Sequence, residues 1–313
     1  MTVTAPTPQV ARDRHGRPLV IPAKGGKPIA YRRCTTFIDV LEDRFALEAW
    51  KQRNVAVGMA ARPDLVLKAA SANGDKSTLN EVAKEASEAA GSSAAATTGS
   101  AVHALTEQID RGHHPFIPPS AAPDIDAYLQ ATSQFGMAEI EVFTVNDKLK
   151  VGGTFDRIVD YAGHRYVADI KTGSIDYGWG KIEMQLAVYA GSDRYEPATG
   201  GRHPLDVNLD WGLVIHLPAG QGRCDIWWAN LANGRIGIDI AQRVWSWRGH
   251  RHQPARQFLP LLAQIEEADS VDTLNHLWAR HFQVWTQELT AAAAARKNQL
   301  IAQGARAEQG AVA

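Results

Sequence analysis

Residues 152–190 place two carboxylates, a lysine, a glutamine and a tyrosine in a regular order. Asp169 and Lys171 are two residues apart in a predicted strand, so their side chains project from one face. Carboxylate oxygens are the ligands that Mg²⁺ and Mn²⁺ prefer, and a nearby lysine can orient an attacking water. This combination predicts metal-dependent hydrolysis of phosphodiester bonds. The five side chains are those of Asp156, Asp169, Lys171, Gln185 and Tyr189.

The two aspartates lie on the two strands of a predicted hairpin. Residues 151–160 and 165–170 are rich in β-branched and apolar side chains, and a short loop at 162–163 contains a glycine. If the residues that flank this loop pair, Asp156 falls opposite Asp169. Directly opposed residues have Cβ atoms about 4.5–5.5 Å apart, where like charges repel. A bound cation would turn that repulsion into binding.

A helix predicted from about 98 to 110 carries a histidine upstream of the hairpin. A threonine at its start and Gly112 after its end are ordinary helix boundaries. His103 and Glu107 are spaced i and i+4, so they share one helix face. Taken alone, this pair is more typical of an ion pair on a helix surface than of a metal site.

Further elements must hold the hairpin in place. A strand predicted at 139–145 precedes it, and Glu139 and Glu141 lie on one face of that strand. Either glutamate could be a further acid of the site, but a solvated face at the sheet edge is the interpretation that we prefer. After the hairpin comes a helix in which Gln185 and Tyr189 are i and i+4 neighbours.

Composition and charge exclude several classes of protein. The 313 residues carry a net charge of −1, so nucleic acid would have to bind in a local groove rather than in an overall basic field. Cys34 and Cys224 are too few for a disulfide framework or a four-cysteine site, which suits a reducing cytosol. We expect a cytoplasmic protein, because no apolar signal core or membrane-spanning stretch is present.

The predicted fold class is α+β with an α/β-like core, in which helices flank a central mixed sheet of about five strands. Basic residues, proline and glycine dominate the N-terminus and predict a mobile arm. The predicted segments are a flexible basic arm (1–30), a single domain (31–303) with N-terminal helices (35–135), a sheet core (139–230) and C-terminal helices (234–303), and a disordered tail (304–313).

The order of the motifs resembles the PD-(D/E)XK nuclease superfamily, and within it the RecB-type exonuclease group. An acidic residue two positions before a lysine is a weak signal, but four motifs in this order and in suitable strand and helix contexts are specific. The resemblance covers about residues 97–217 and implies a restriction-endonuclease-like core. The motifs are GSAVH ending at His103, GTFD ending at Asp156, ADIKTG with Asp169 and Lys171, and QLAVY with Gln185 and Tyr189.

The resemblance implies a set of metal ligands. Asp156 and Asp169 would bind Mg²⁺ or Mn²⁺ through their carboxylates, together with the backbone carbonyl of Ile170. His103 would be a further ligand, brought in by its helix. With the resemblance, a metal-binding role for His103 is preferred to an ion pair on the helix surface. Related CRISPR-adaptation nucleases of the group carry four cysteines for an iron–sulfur cluster; this chain has two, so no cluster is expected.

The resemblance also implies roles in catalysis. Lys171 would orient the attacking water and stabilise developing charge, Gln185 would contact Lys171 or the DNA backbone, and Tyr189 would support the phosphate or pack beneath the site. The helicase motif GXXXXGK(S/T) is absent, which favours a stand-alone nuclease. The expected function is that of a metal-dependent DNA exonuclease in phage-type recombination, repair or replication, located in the host cytoplasm if phage-encoded.

Other expectations and alternatives accompany this function. DNA is the expected substrate, a single-strand annealing or recombination protein is a candidate partner, and toroidal exonucleases of the group suggest a homo-oligomer. No membrane association is expected. One alternative is a catalytically silent nucleic-acid-binding or recombination-complex module of the same fold. A second is a solvated sheet face on which Lys171 neutralises Asp169.

Overall fold

The computed structural model describes residues 10–176, 178–250 and 261–310, and it mixes helices with strands. The strands are β1 (Leu19–Val20), β2 (Ile29–Ala30), β3 (Arg32–Arg33), β4 (Gly136–Asn146), β5 (Val151–Tyr161), β6 (His164–Lys171), β7 (Asp193–Glu196), β8 (Gly201–Pro204), β9 (Trp211–His216) and β10 (Asp225–Asn230). The helices are α1 (Cys34–Ile38), α2 (Phe45–Ala61), α3 (Pro63–Ser71), α4 (Lys76–Ala89), α5 (Ala94–Asp110), α6 (Ala122–Thr132), α7 (Trp179–Ala190), α8 (Leu231–Gly249), α9 (Leu261–Glu267), α10 (Val271–His281) and α11 (Gln287–Gly310).

The central sheet is mixed and flanked by helices, as predicted, but it is larger than the predicted five strands. Within the described residues its strand order is β10-β9-β6-β5-β4-β7-β8, and β3 pairs with β5, which makes eight strands. The β6–β9 and β3–β5 pairs are parallel and the others antiparallel. The sequence prediction missed β3, β7 and β8, because these two- and four-residue strands are too short to show a period of two.

The tight turn between β5 and β6 fixes their register. Ala162 and Gly163 have φ values of 51° and 79°. Two successive positive values are typical of the two-residue turns that match strand twist. Tyr161 pairs with His164, and the ladder continues back to Arg157 and Ala168, as the sequence predicts.

Helices cover both faces of the sheet. Leu186 of α7 packs in one apolar cluster with Ile158 of β5. Val102 of α5 and Tyr128 of α6 pack in another cluster with Val159. Since successive residues of a strand point to opposite faces, α7 lies on one face and α5 and α6 on the other.

Residues 10–30 differ from the predicted flexible arm. β1 and β2 form a two-stranded antiparallel sheet, and Val10 and Val20 are buried in a cluster with Tyr31. The basic and glycine-rich composition hid these few apolar residues, whose burial orders the segment. Residues 1–9 lie outside the described part of the chain.

The chain divides into two compact units, Met1–Gly249 and His250–Ala313, and this division falls inside the domain predicted over 31–303. In the second unit, α9, α10 and α11 pack around an apolar cluster that includes Leu274 and Leu289. α11 runs on to Gly310 where a disordered tail was predicted from 304, since alanine and glutamine favour a helix.

Every helix among the described residues is too short or too polar to cross a lipid bilayer.

Candidate metal centre

Asp156 lies just beyond the end of the β5–β6 ladder. The last ladder pair is Arg157 with Ala168. Past it, the backbone N–H of Ile170 donates to Asp156 Oδ2 at 2.7 Å, so a carboxylate takes the place of a backbone acceptor. The predicted opposition of Asp156 and Asp169 is therefore not a ladder pair. The two strands part where the site begins.

Side-chain alternation also breaks at this point of the sheet. Phe155 and Ile158 are three residues apart, which strict alternation would place on opposite faces, yet both pack in the cluster that contains α7. On the neighbouring strand β4, Glu141 has a φ of 53°. A non-glycine residue with positive φ in the middle of a strand is uncommon. At this interruption of the alternation, side chains of β4 and β5 point to the opposite face from the one that a regular strand would give them.

Glu141 is a site residue that the sequence analysis did not select. Pairing of Ile140 with Arg157 and of Val142 with Phe155 places it across from Asp156. Its carboxylate is about one-quarter exposed, and Oε1 is buried without a hydrogen bond. The preferred interpretation as a solvated face was wrong for Glu141, because the break turns its side chain inwards. The pairing of Asn146 with Val151 at the turn between β4 and β5 sets this register.

Glu139, the other glutamate of β4, has a different environment. Its Oε1 accepts a hydrogen bond from Arg165 Nη2 at 2.7 Å, and its Oε2 accepts one from Arg194 Nε at 3.1 Å. Two arginines therefore neutralise Glu139. Of the two glutamates, only Glu141 contributes to the candidate centre.

His103 approaches from α5. Its Nε2 lies 3.1 Å from Asp156 Oδ2 and 3.8 Å from Glu141 Oε1. Among the described residues, the group with ligand atoms all within 4.8 Å of one another consists of His103, Glu141 and Asp156. Glu107, the helix neighbour of His103, instead accepts a hydrogen bond from Arg111 at 3.0 Å. His103 therefore faces the strands rather than an ion pair on its own helix.

Gly99 explains how α5 comes so close to the sheet. A Cβ atom at this position would lie 2.4 Å from Thr172 Oγ1, directly after Lys171. Contacts under 3.0 Å essentially never occur, so no larger residue fits without movement. Because residues i and i+4 lie on one helix face, the close approach at Gly99 also brings His103 against the strands.

Asp169, Lys171 and Gln185 form a closed polar triad. Lys171 Nζ donates to Gln185 Oε1 at 3.0 Å, and Gln185 Nε2 donates to Asp169 Oδ1 at 2.9 Å. Lys171 Nζ also lies 2.5 Å from Asp169 Oδ2, which makes a direct ion pair. The Asp169 side chain is only 3% exposed, so the ammonium supplies the charge that this buried carboxylate needs.

Tyr189 packs beneath the triad. It is buried, its ring meets Phe155 edge to face at 6.4 Å, and its hydroxyl bonds with Gln185. A Cβ atom on Gly153 would lie 3.0 Å from the same hydroxyl, so β5 passes directly against the tyrosine. Of the two roles implied for Tyr189, this position fits packing beneath the site. Burial raises the pKa of Tyr189 well above its ordinary value.

A buried arginine joins α5, α6 and β5 beside the centre. Arg157 Nε donates to Asp110 Oδ2 at 2.7 Å, and Arg157 Nη1 donates to the Asp156 carbonyl at 2.8 Å. The Tyr128 hydroxyl donates to the same Asp110 oxygen at 2.6 Å. The Arg157 side chain is completely buried, so this network fixes the helix that carries His103 against the strand that carries Asp156. No motif in the sequence marked it.

The ionisable groups of the centre have shifted pKa values. Burial and the charge of Asp156 raise the pKa of Glu141 to about 7 and that of Asp169 to about 6. The hydrogen bond with Asp156 raises the pKa of His103. Burial opposes ionisation of Asp156, but hydrogen bonds from His103 and from the Ile170 N–H hold its pKa below the ordinary value. Burial and the charge of Asp156 together outweigh the opposing positive charges, which are His103 and Arg157 at Glu141, and Lys171 and His103 at Asp169.

The donor set fits a divalent cation. Carboxylate oxygens suit Mg²⁺ and Mn²⁺, and the imidazole of His103 binds Mn²⁺ more readily than Mg²⁺. The buried Glu141 Oε1 has no hydrogen bond, so it retains a lone pair for an ion, whereas Asp169 Oδ2 lies 2.5 Å from the Lys171 ammonium. The predicted use of the Ile170 carbonyl as a ligand stays a prediction.

Comparisons with known proteins leave the family open. No protein-family model matches the sequence, and no curated protein matches it. One solved structure that matches is described as the crystal structure of SSO0001, with 17% sequence identity and a TM-score of 0.24. The match covers 42% of this chain and 57% of that chain. A TM-score this low does not establish a common fold.

Proposed function

We propose that this protein is a metal-dependent deoxyribonuclease, and specifically an exonuclease, that hydrolyses phosphodiester bonds. The observation that carries the proposal is the position of the Lys171 ammonium. Asp169 and Gln185 hold this ammonium at the end of β6. Asp156 lies on the neighbouring strand β5, and its carboxylate is 3.1 Å from His103 Nε2. Two carboxylates, an imidazole and an ammonium from α5, β5 and β6 suit metal-assisted phosphate hydrolysis.

The same proposal includes the restriction-endonuclease-like core over 97–217. A divalent ion held by Asp156, Asp169 and His103 would lower the pKa of water and offset charge on the phosphate. Lys171 donates a hydrogen bond to the attacking water and then to the phosphate oxygen on which negative charge grows. The water oxygen forms a bond to phosphorus and loses a proton to solvent, while the bond between phosphorus and the leaving sugar oxygen breaks and that oxygen takes a proton from solvent.

Gln185 serves as the positioning residue in this scheme. Its amide bonds both the ammonium of Lys171 and the carboxylate of Asp169, so it limits the rotation of either side chain. A reacting group held in one orientation reacts faster, because that freedom need not be lost in the transition state. Tyr189 supports Gln185 from below.

The setting of the activity belongs to the proposal as well. DNA is the substrate, and the process is phage-type recombination, repair or replication in the cytoplasm. A single-strand annealing or recombination protein is the proposed partner, and self-association into a homo-oligomer is proposed from the family resemblance. The second candidate, a catalytically silent module of the same fold, becomes the better description if the test below fails.

The test is degradation of end-labelled DNA by the purified full chain. Linear single-stranded, linear double-stranded and closed circular DNA are each incubated with Mg²⁺, with Mn²⁺ and with a chelator. We expect loss of linear DNA that requires a metal and spares the closed circle. Asp169→Ala should remove the activity, whereas Lys84→Ala, an exposed lysine of α4, should retain it.

Two results would contradict the proposal. Linear DNA that stays intact with both metals, under conditions where the protein binds DNA, would favour the silent module. Activity of Asp169→Ala equal to that of Lys84→Ala would mean that a contaminating nuclease was measured. Cleavage of the closed circle would mean that the protein is a nuclease but an endonuclease rather than an exonuclease.

A further inference from the structure

The backbone brings Glu141 to the centre by an unusual conformation. In a regular strand its side chain would alternate with those of Ile140 and Val142. The φ of 53° interrupts this pattern at the row that Glu141 shares with Asp156. Such a conformation is costly for a non-glycine residue and persists only where the surroundings enforce it.

The contacts of Glu141 leave its carboxylate short of partners. Oε1 lies 3.8 Å from His103 Nε2 and 3.6 Å from Arg157 Nη1, both beyond a hydrogen bond. Arg157 Nε bonds to Asp110 and Nη1 to the Asp156 carbonyl, while Nη2 is buried without a hydrogen bond, so the guanidinium lies near Glu141 without bonding to it. No other described group hydrogen-bonds to the buried oxygen of Glu141.

The positions of three donor atoms support a ligand at this place. His103 Nε2 and one oxygen each of Glu141 and Asp156 come from α5, β4 and β5, and all lie within 4.8 Å of one another. Asp169 is not a member of this group, because Lys171 and Gln185 contact its carboxylate. A buried carboxylate oxygen without a hydrogen bond, in a group of donor atoms this close together, is what an absent cation would explain.

We infer that Glu141 is a ligand of the divalent ion, which it binds together with His103 and Asp156. This inference rests on the metal dependence in the proposed function, and it adds a ligand from β4 that the family resemblance did not imply. With Glu141 included, ligands come from α5, β4 and β5, and the ion neutralises two carboxylates that otherwise repel each other.

Mn²⁺ binding to the full-length protein without DNA tests the inference. Titration calorimetry, or the loss of the free Mn²⁺ signal in electron paramagnetic resonance, gives the affinity directly. We expect Glu141→Gln, which keeps the shape but removes the charge, to weaken binding by roughly 10- to 100-fold, as loss of groups around a metal does. Glu141→Asp, with a shorter carboxylate, should bind Mn²⁺ better than Glu141→Gln.

Glu107→Gln is the matched control, since it removes the same charge from a nearby residue that bonds to Arg111. It should bind Mn²⁺ within about twofold of the unchanged protein, because Glu107 is paired with Arg111 and lies outside the group of donor atoms. Equal Mn²⁺ affinity in Glu141→Gln and Glu107→Gln would overturn the inference. Circular dichroism of each variant ensures that folded proteins are compared.

The outcomes separate this inference from the proposed function. Mn²⁺ binding that depends on Glu141, in a protein that degrades no DNA, would support the ligand and contradict the nuclease. DNA degradation with Mn²⁺ affinity unchanged in Glu141→Gln would support the nuclease and contradict the ligand.

Discussion

The two halves of the candidate centre differ in how their charges are balanced. In the triad of Asp169, Lys171 and Gln185, an ammonium and an amide contact the buried carboxylate. In the cluster of His103, Glu141 and Asp156, two carboxylates share one imidazole, and an oxygen of Glu141 has no hydrogen bond. The triad can exist without an ion, whereas the cluster gains from one. We therefore expect changes of Lys171 and Gln185 to reduce catalysis, and changes of the cluster to reduce metal affinity.

The largest effect is expected from Lys171→Met. Loss of the ammonium should reduce DNA degradation by roughly 10³-fold, the size typical of a lost catalytic group. It also leaves the Asp169 carboxylate buried and unpaired. The pKa of Asp169, already about 6, should rise further, so the variant should lose most stability at neutral pH and least in acid.

The double variant Asp169→Asn/Lys171→Met checks this interpretation by thermal unfolding. It removes both charges, so it should regain stability at neutral pH while it stays inactive. If the double variant is no more stable than Lys171→Met, the ammonium does not balance Asp169 and the closed triad is not the right description.

The next largest effect is expected from Gly99→Ala, which acts on the cluster. In an open helix this change stabilises by up to about 1 kcal/mol. Here the new methyl group would meet Thr172 Oγ1 at 2.4 Å, so we expect destabilisation of about 1–3 kcal/mol and weaker Mn²⁺ binding as His103 moves away. Chemical denaturation and Mn²⁺ titration measure the two effects.

Gly304→Ala is the control for this change, because a methyl group there meets nothing within 4 Å. It should leave Mn²⁺ affinity unchanged and should not destabilise the protein. Thr172→Ala, added to Gly99→Ala, removes the nearest atom and should recover part of the loss. A Gly99→Ala protein with full stability and full Mn²⁺ affinity would show that α5 can approach β6 without glycine.

A smaller effect is expected from pH in metal-free protein. Folded Glu141 has a pKa of about 7 and folded Asp169 about 6, both above the unfolded values of about 4. The folded state therefore binds more protons than the unfolded state between pH 4 and 7, and the free energy of unfolding falls as pH rises through this window. The raised pKa of His103 adds a contribution that is likewise lost as pH rises through its folded value.

Thermal unfolding from pH 5 to 8 measures this trend. Glu141→Gln should flatten the slope, and saturating Mn²⁺ should reverse it, because the metal competes with protons for the same carboxylates. A metal-free protein whose stability rises from pH 5 to 7 would contradict the account of repelling carboxylates.

The smallest effect is expected from Tyr128→Phe. This change removes one hydrogen bond to Asp110, which should cost about 1 kcal/mol in chemical denaturation. Because Asp110 holds Arg157 and Arg157 holds the Asp156 carbonyl, a modest loss of Mn²⁺ affinity should accompany it. Unchanged Mn²⁺ affinity would mean that the Arg157 network contributes to stability and not to metal binding.

The same comparison separates what the sequence could predict from what it could not. Asp169 and Lys171 are two residues apart on one strand, and the helix with Gln185 follows directly, so local spacing determines the triad. The tight turn likewise fixed the hairpin register back to Arg157. Alternation failed where Glu141 adopts positive φ, since that conformation follows from long-range contacts rather than from local preference.

Other features depended on contacts that spacing does not reveal. His103 was found through the family resemblance, but the role of Gly99 in bringing α5 close needs the position of Thr172. The buried pair of Arg157 and Asp110 joins residues 47 positions apart and has no sequence signature. The strands β7 and β8, which enlarge the sheet beyond the prediction, are too short to show a period of two in the sequence.

The hydrogen bond from the Ile170 amide to Asp156 makes one backbone proton a spectroscopic reporter of the centre. This proton meets the same Oδ2 that faces His103, so an ion bound there draws electron density away from the acceptor. The amide resonance of Ile170 should shift upfield on addition of Mg²⁺, and its exchange with solvent should change in step. A single nuclear magnetic resonance signal can thereby follow occupancy of the centre without DNA and without any label on the metal.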